Sequence, residues 1–146
     1  MAITSAICNS FKVEILKAVH NFTATTGNSF KLALYTSSAT LGAGTTAYST
    51  SDEITNTSGT AYTAGGKALT SVTPVLDSST AVCDFADISF TSASFTANGC
   101  LIYNDTQSDK AVCVVAFGGD KTVSSGTFTI QFPTHDATSA ILRLTA

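Results

Sequence analysis

The sequence predicts a mainly β chain: a single antiparallel β-sandwich or jelly-roll-like domain preceded by an N-terminal amphipathic helix. Three observations predict it. The 146 residues hold 25 threonines and 18 serines against 17 charged side chains, and β-branched and hydroxyl residues suit a half-buried pleated surface. From residue 67 onward, short apolar runs recur between turn residues, as they do in all-β domains. Before residue 21 the apolar positions instead recur every four, the period of a helix face.

That first segment, residues 4–20, reads as one helix. Ile7, Phe11, Ile15 and Val19 form its stripe, with Leu16 beside them. Lys12, Glu14 and Lys17 fall away from the stripe, and Thr4 or Ser5 can cap the start. His20 would end the helix, where a cation suits the dipole. After a turn at residues 25–28, Phe30, Leu32 and Leu34 alternate with Lys31, Ala33 and Tyr35. This is a strand with one face toward a core. Residues 37–66 are rich in Ser, Thr, Gly and Ala, with Leu41, Tyr48, Ile54 and Tyr62 as sparse large side chains. So long a stretch without period is either an ordered extension with partial strands or an arm that orders on a partner. Strand signals then follow at 67–73, 80–90, 99–104, 110–117, 127–132 and 139–145. Turn chemistry separates them at Asp77-Ser78-Ser79, Asn98-Gly99, Asn104-Asp105, Gly118-Gly119-Asp120, Ser125-Gly126 and Pro133. The whole of 1–146 reads as one domain, with 21–146 its β part.

Charge narrows the function. The net charge is −3 and Arg143 is the sole arginine. No basic stripe exists to displace counterions from phosphates, so direct nucleic-acid binding is not expected. No polybasic membrane patch and no apolar run of membrane-spanning length occurs. Ala2–Leu16 lacks a basic n-region and is broken by Asn9, Ser10 and Lys12, so a chain made in a cytoplasm is expected. Cys8, Cys83, Cys100 and Cys113 show no C-x-x-C spacing and read as buried free thiols, not zinc ligands.

No reaction chemistry is spelled out. His20 and His135 are the only histidines, no G-x-S-x-G elbow accompanies them, and no cofactor or metal is implied. Gly65-Gly66-Lys67 lacks the first Gly and the Ser or Thr of a phosphate loop, and Gly118-Gly119-Asp120-Lys121 lies between strands. Both read as turns. Asp84 and Asp87 carry no calcium pattern and read as strand-end or turn carboxylates. The triplets at Asn21, Asn56 and Asn104 that fit a glycosylation pattern are expected by chance in so Thr-rich a chain.

Several strings together carry a resemblance. They are Ile7-Cys8-Asn9-Ser10-Phe11-Lys12, His20-Asn21-Phe22, the run from Phe30 to Leu41, and the run from Gly59 to Gly66. Asp84-Phe85-Ala86-Asp87, Leu101-Ile102-Tyr103-Asn104 and Thr127 to Pro133 complete them. In this order and spacing, end to end, the chain resembles a family of small virion structural proteins of tailed bacteriophages. The resemblance implies a capsid decoration (cement) protein with no catalytic residues. It would be made in the bacterial cytoplasm and carried on the phage head, as a homo-oligomer bound to the major capsid protein or another virion protein. Two positions depart from the family: Phe90 stands where Trp is frequent, and Asn98 where Arg is frequent. The candidate contact residues are Ile7, Phe11, Ile15 and Val19 on the helix stripe and Leu41, Tyr48, Ile54 and Tyr62 on the 37–66 segment. A tail or head–tail adaptor part is the alternative. A carbohydrate-binding β-sandwich with Tyr48 and Tyr62 as stacking rings is another.

Overall fold

The computed structural model describes residues 2–55 and 61–146. The Asn56-Thr57-Ser58 triplet and residues 59–60 of the 37–66 stretch lie outside the described residues. The fold is mainly β, with two antiparallel sheets and one short helix near the N-terminus. In chain order the elements are β1 (Ala6–Ile7), α1 (Asn9–Leu16), β2 (Phe30–Tyr35), β3 (Lys67–Ala68) and β4 (Ser71–Asp77). Then follow β5 (Thr80–Phe85), β6 (Ile88–Asn104), β7 (Lys110–Ile130) and β8 (Leu142–Leu144). The larger sheet runs β1-β7-β6-β2-β3 and the smaller β4-β5-β8.

The helix is shorter than the stripe predicts. Ala6 and Ile7 pair with Val114 and Cys113 of β7, and the Cys8 amide bonds Val112 O. The sheet therefore claims the backbone that a helix from residue 4 would need. At the other end Ala18 turns left-handed, with φ 59. The Val19 amide reaches Glu14 O and the Ala18 amide reaches Ile15 O, the paired bonds of a Schellman stop. Only Phe11 and Ile15 of the four-residue stripe are helical. Ile7 is a strand residue, and Val19 lies past the stop.

Strand β2 is buried on both faces, not one. Ala33 is 0% and Tyr35 1% exposed, because the sheet has cover on each side. By register, Phe30, Leu32 and Leu34 share a face with Asn104, Ile102 and Cys100. That face meets α1 and the small sheet. Phe22 stacks on Phe30 with ring centroids 4.3 Å apart, and Phe85 of β5 lies 5.8 Å from Phe30. These rings join the two sheets.

Three expected turns are bulges inside strands. Asn98 on β6 stands alone opposite residues 117–120 of β7, and its side-chain amide donates to Asp120 Oδ1 at 2.8 Å. Gly99 is needed for close approach: a Cβ there would lie 2.7 Å from the Ile3 side chain. Ser92 and Ser125 carry two further bulges at φ 51 and φ 46. Bulges bend and twist paired strands without ending them, so the runs 99–104, 110–117 and 127–132 fuse into one long hairpin. The signals at 67–73 and 80–90 are divided instead, by breaks at residues 69–70 and 86–87.

The described part of 37–66 is tied to the larger sheet. Ala47 bridges Lys110 at the β7 edge, and Glu53 bridges Tyr35 at the β2 edge. Ile54 N bonds Leu34 O and Ala111 N bonds Thr46 O. The segment thus covers edge groups that would otherwise be open to another strand.

Candidate functional site

A cleft of about 620 Å³ opens between α1 and the inner face of the small sheet. Phe11, Ile15 and Leu16 form the helix wall, and His20 and Phe22 from the following segment form its back. Register sets the facing wall. Ala81 pairs with Leu144 and Cys83 with Leu142, and directly paired residues point to one side of a sheet. All four line the cleft. Leu76 is paired with Ala81 and extends the same side to the sheet's outer end.

Part of the exposed apolar surface borders this region. Among the described residues the large exposed hydrophobics are Val13, Leu16, Val72, Val75, Leu76 and Leu144. Leu16 and Leu144 line the cleft and Leu76 shares their side of the small sheet, whereas Val72 and Val75 pair with Asp84 and Val82 and point to its other side. Leu16 is 87% exposed and Leu76 71%. Single exposed apolar residues need no explanation, whereas a clustered set marks an interaction surface.

The histidine at the back of the cleft is fully engaged. Asn104 Oδ1 accepts the amides of Thr106 and Gln107, which fixes its side-chain nitrogen as the donor toward His20 Nδ1 at 3.0 Å and Asn28 Oδ1 at 2.9 Å. His20 Nδ1 is therefore an acceptor, and Nε2 carries the proton that it donates to Glu14 Oε2 at 2.6 Å. The imidazole side chain has no exposed surface. Both nitrogens hold structure together, so neither is free to take a substrate proton. The sequence expected His20 to cap the helix; instead it lies past the Schellman stop and ties α1 to the end of β6.

The thiols offer no nucleophile. All four cysteines are buried and free. Burial pushes Cys83, in the cleft, up to about 12, with the charge of Asp84 adding to it. Cys100 is likewise raised to about 12 and Cys8 to about 11 by burial. A thiol held this high stays protonated near neutral pH. His135 lies away from this cleft, its Nε2 donating to Val82 O at 3.2 Å. Asp87 Oδ1 accepts the Phe132 amide, and Asp84 is half-buried on β5 with one unpartnered oxygen. No group of three or more possible metal ligands occurs among the described residues. No helix among them is long and apolar enough to cross a membrane.

A second polar network binds the 37–66 segment down. Glu53 is 8% exposed and accepts Tyr48 OH at 2.7 Å, Tyr62 OH at 2.6 Å and the Gly65 amide at 2.8 Å. Tyr103 OH donates to Gly65 O, and Tyr35 OH to Ser49 O. The Gly65-Gly66 pair is part of this frame. Gly66 has φ +81, and a Cβ on it would sit 1.9 Å from Leu32 O.

The cleft gathers three of the eight candidate contact residues: Ile7, Phe11 and Ile15. Val19 is half-buried just past the helix stop. Leu41 is half-buried and bridges Ile3. Tyr48 is half-buried and stacked on Tyr103 at 4.7 Å. Ile54 and Tyr62 are 5% and 1% exposed, inside the core. Of the two departures noted in the sequence, Phe90 is buried near Tyr62 and Phe95 with Lys67 over its ring, and Asn98 holds the bulge. No local pattern marks Glu53 or Asn104 as network centres, nor Leu76 and Leu144 as exposed residues on the cleft side.

No family model, no curated protein and no solved structure matches this chain.

Proposed function

We propose that this chain is a non-enzymatic structural protein of a tailed-phage virion, a capsid decoration (cement) protein that binds and stabilises the head shell. The carrying observation is an apolar cleft with the exposed Leu16 of α1 and Leu144 of β8 in its lining and the exposed Leu76 of β4 on the same side of the small sheet. Such a surface supports docking to a protein partner. Its titratable groups support no reaction: His20 is locked from both sides, and the Cys83 thiol is raised by burial. The strings from Ile7 to Pro133 that resemble the virion family supply the particular role. In this reading the two sheets form a sandwich or jelly-roll-like body. The partner is the major capsid protein or another virion protein, the chain acts as a homo-oligomer, and neither nucleic acid nor membrane is a partner. It is made in the bacterial cytoplasm and resides on the head surface. A lattice of such bodies gains its hold by multivalency, with each contact weak on its own.

A tail or head–tail adaptor role differs from this in stoichiometry. No observation favours sugar binding: Tyr62 is buried, and Tyr48 has its ring on Tyr103 and its hydroxyl on Glu53. The test is the copy number of the chain in purified particles, by quantitative mass spectrometry against the major capsid protein. Decoration gives a ratio near one, or a simple fraction set by local symmetry. A handful of copies per particle moves the chain to the tail or portal vertex, and absence from particles overturns the virion reading.

A further inference from the structure

The cleft between α1 and the small sheet has the dimensions of a small-molecule site. Its 620 Å³ falls inside the roughly 300–1,000 Å³ range of such sites. Its back wall is fixed in advance. The Phe11 ring centroid lies 4.9 Å from that of His20 and 6.0 Å from that of Phe22, and the His20 imidazole is held at both nitrogens. A wall already in place spares a ligand the cost of ordering it. The facing wall has a dip. Leu76, Ala81 and Leu144 stand in one row across the three strands of the small sheet, and Ala81 is the small member of that row.

Charge and hydrogen-bonding capacity select the polar end of the ligand. None of the ten Asp and Glu residues of the chain lines the cleft. Glu14 stands nearby on α1, and its Oε2 is taken by His20. Lys12 does line the cleft, four residues before Leu16 and so on the same side of the helix. Its ammonium donates to the neutral Asn9 Oδ1, and no carboxylate pairs with it among the described residues. A lysine stem lies along apolar surface while its ammonium stays in water. Asn21, also in the lining, adds a second donor. Its Oδ1 accepts the Thr23 amide, which leaves the side-chain NH2 group without an acceptor among the described residues. Arg143 does not join them. It pairs with Val82, one place out of step with Leu142 and Leu144, so its guanidinium turns to the far side of the sheet and donates to the carbonyl oxygens of Ala137 and Thr138. The cleft of a chain with net charge −3 thus offers an unpaired cation and an amide donor on an apolar surface, with no carboxylate in its lining.

We propose that this cleft binds a long-chain carboxylate, with the alkyl chain against Phe11, Ile15, Phe22, Leu142 and Leu144 and the carboxylate at Lys12. The site goes beyond the virion reading and does not depend on it. The alkyl chain supplies most of the affinity. Each methylene that enters the cleft tightens binding by about fourfold, and the gain stops once the cleft is full. The head contact is open to water and contributes less, about 2–5-fold.

The experiment is calorimetric titration of the purified full chain with sodium laurate up to about 1 mM, a range that reaches weak binding. Decanoate and myristate give the chain-length series, and dodecyltrimethylammonium gives the same tail with the opposite charge. Lys12→Glu and Ala81→Phe are titrated beside wild type, each with a thermal melt. The expected result is saturable binding of one laurate per chain, tighter from decanoate to laurate and weaker for the ammonium head. Lys12→Glu, at an exposed site, should melt as wild type does, weaken laurate by about tenfold and tighten the ammonium amphiphile. Ala81→Phe fills the dip and should abolish binding of both. Absence of saturable laurate binding overturns the proposal. So does equal affinity for the two head groups, or a folded Ala81→Phe that binds as wild type does. Should Ala81→Phe fail to fold, the head-group comparison and Lys12→Glu still decide. Should laurate not bind while a folded Ala81→Phe loses attachment to particles, the cleft belongs to a protein partner: the ligand proposal falls and the virion reading stands. Laurate binding by a chain absent from particles keeps the site and removes the virion role.

Discussion

Replacing Glu53 with glutamine tests whether the buried carboxylate holds the 37–66 segment to the sheet. Its oxygens accept two tyrosine hydroxyls and one backbone amide within 2.6–2.8 Å. Glutamine keeps the shape and loses the charge. Its best orientation leaves the amide oxygen toward Tyr62 OH and Gly65 N and turns the NH2 group toward Tyr48 OH. One bond is then reversed at neutral strength, and the other two fall from charge-assisted to neutral strength. Hydrogen bonds to charged groups contribute roughly 1.5–3 kcal/mol each and neutral ones about half that, so Glu53→Gln should cost about 2–4 kcal/mol. Urea titration followed by far-UV dichroism and tyrosine fluorescence reads this as a midpoint drop of about 1–2 M at unchanged slope. Tyr48→Phe removes the same bond from the other side. In that background Glu53→Gln should cost about 1–2 kcal/mol less, the signature of a shared contact. A Glu53→Gln loss below about 0.5 kcal/mol, or full additivity of the pair, would refute the account of Glu53 as a fastening point.

Three further outcomes follow from local geometry and titration. Ala18 holds the left-handed position of the helix stop, so Ala18→Gly should raise stability by about 0.5–1 kcal/mol, read from the same urea midpoint; a loss would mean that the stop is not strained. Gly66→Ala forces a methyl against Leu32 O at a positive φ and should cost about 3 kcal/mol or more, or prevent folding altogether, and a melting temperature equal to wild type would contradict the close packing. Burial raises Cys8 to about 11 and Cys83 and Cys100 to about 12 from the ordinary 9.0, so the folded chain keeps thiol protons that the unfolded chain loses. Their contribution is whole below about pH 9 and falls as pH climbs toward those raised values, by roughly 1.4 kcal/mol per thiol per pH unit. Burial raises the four tyrosines as well, which steepens the decline above about pH 10. Equal urea midpoints at about pH 8 and about pH 10.5 would contradict this linkage.

The β character was legible because it is written in composition and period, and both survive folding unchanged. The run Phe30–Tyr35 is a strand at the expected residues. Its two-sided burial was hidden, because Ala33 and Tyr35 look like solvent-tolerant positions until the 37–66 segment covers them. The long hairpin was hidden for a different reason. Asn98, Gly99, Gly118, Gly119 and Ser125 carry the chemistry of turns, and bulges use the same residues because both need unusual φ or close approach. The N-terminal stripe misled through coincidence of period. Ile7 packs inward from a strand and Phe11 and Ile15 from a helix, while Val19 lies beyond the stop, four apart in sequence but not on one cylinder. The networks were invisible because their members are distant: Asn104 and His20 are 84 residues apart, and no local pattern marks them.

The two polar networks explain why the apolar face can stay open. A small sheet and a two-turn helix have little ladder of their own, and an isolated eight-residue helix is marginal in water. The Glu14–His20–Asn104–Asn28 chain anchors the helix to the end of β6 and to the loop before β2, where burial makes each bond costly to break. On the other face of the larger sheet, Glu53 and the tyrosines do the same for 37–66. With both peripheries fastened by hydrogen bonds, Leu16, Leu76 and Leu144 are not needed to hold the chain's own fold. Their exposure is then tolerable for the single chain and available to a partner. The consequence separates the two kinds of residue: substitutions at Glu53 or Asn104 should lower stability with assembly lost only through unfolding, whereas substitutions at Leu16 or Leu144 should change assembly with the melt unmoved.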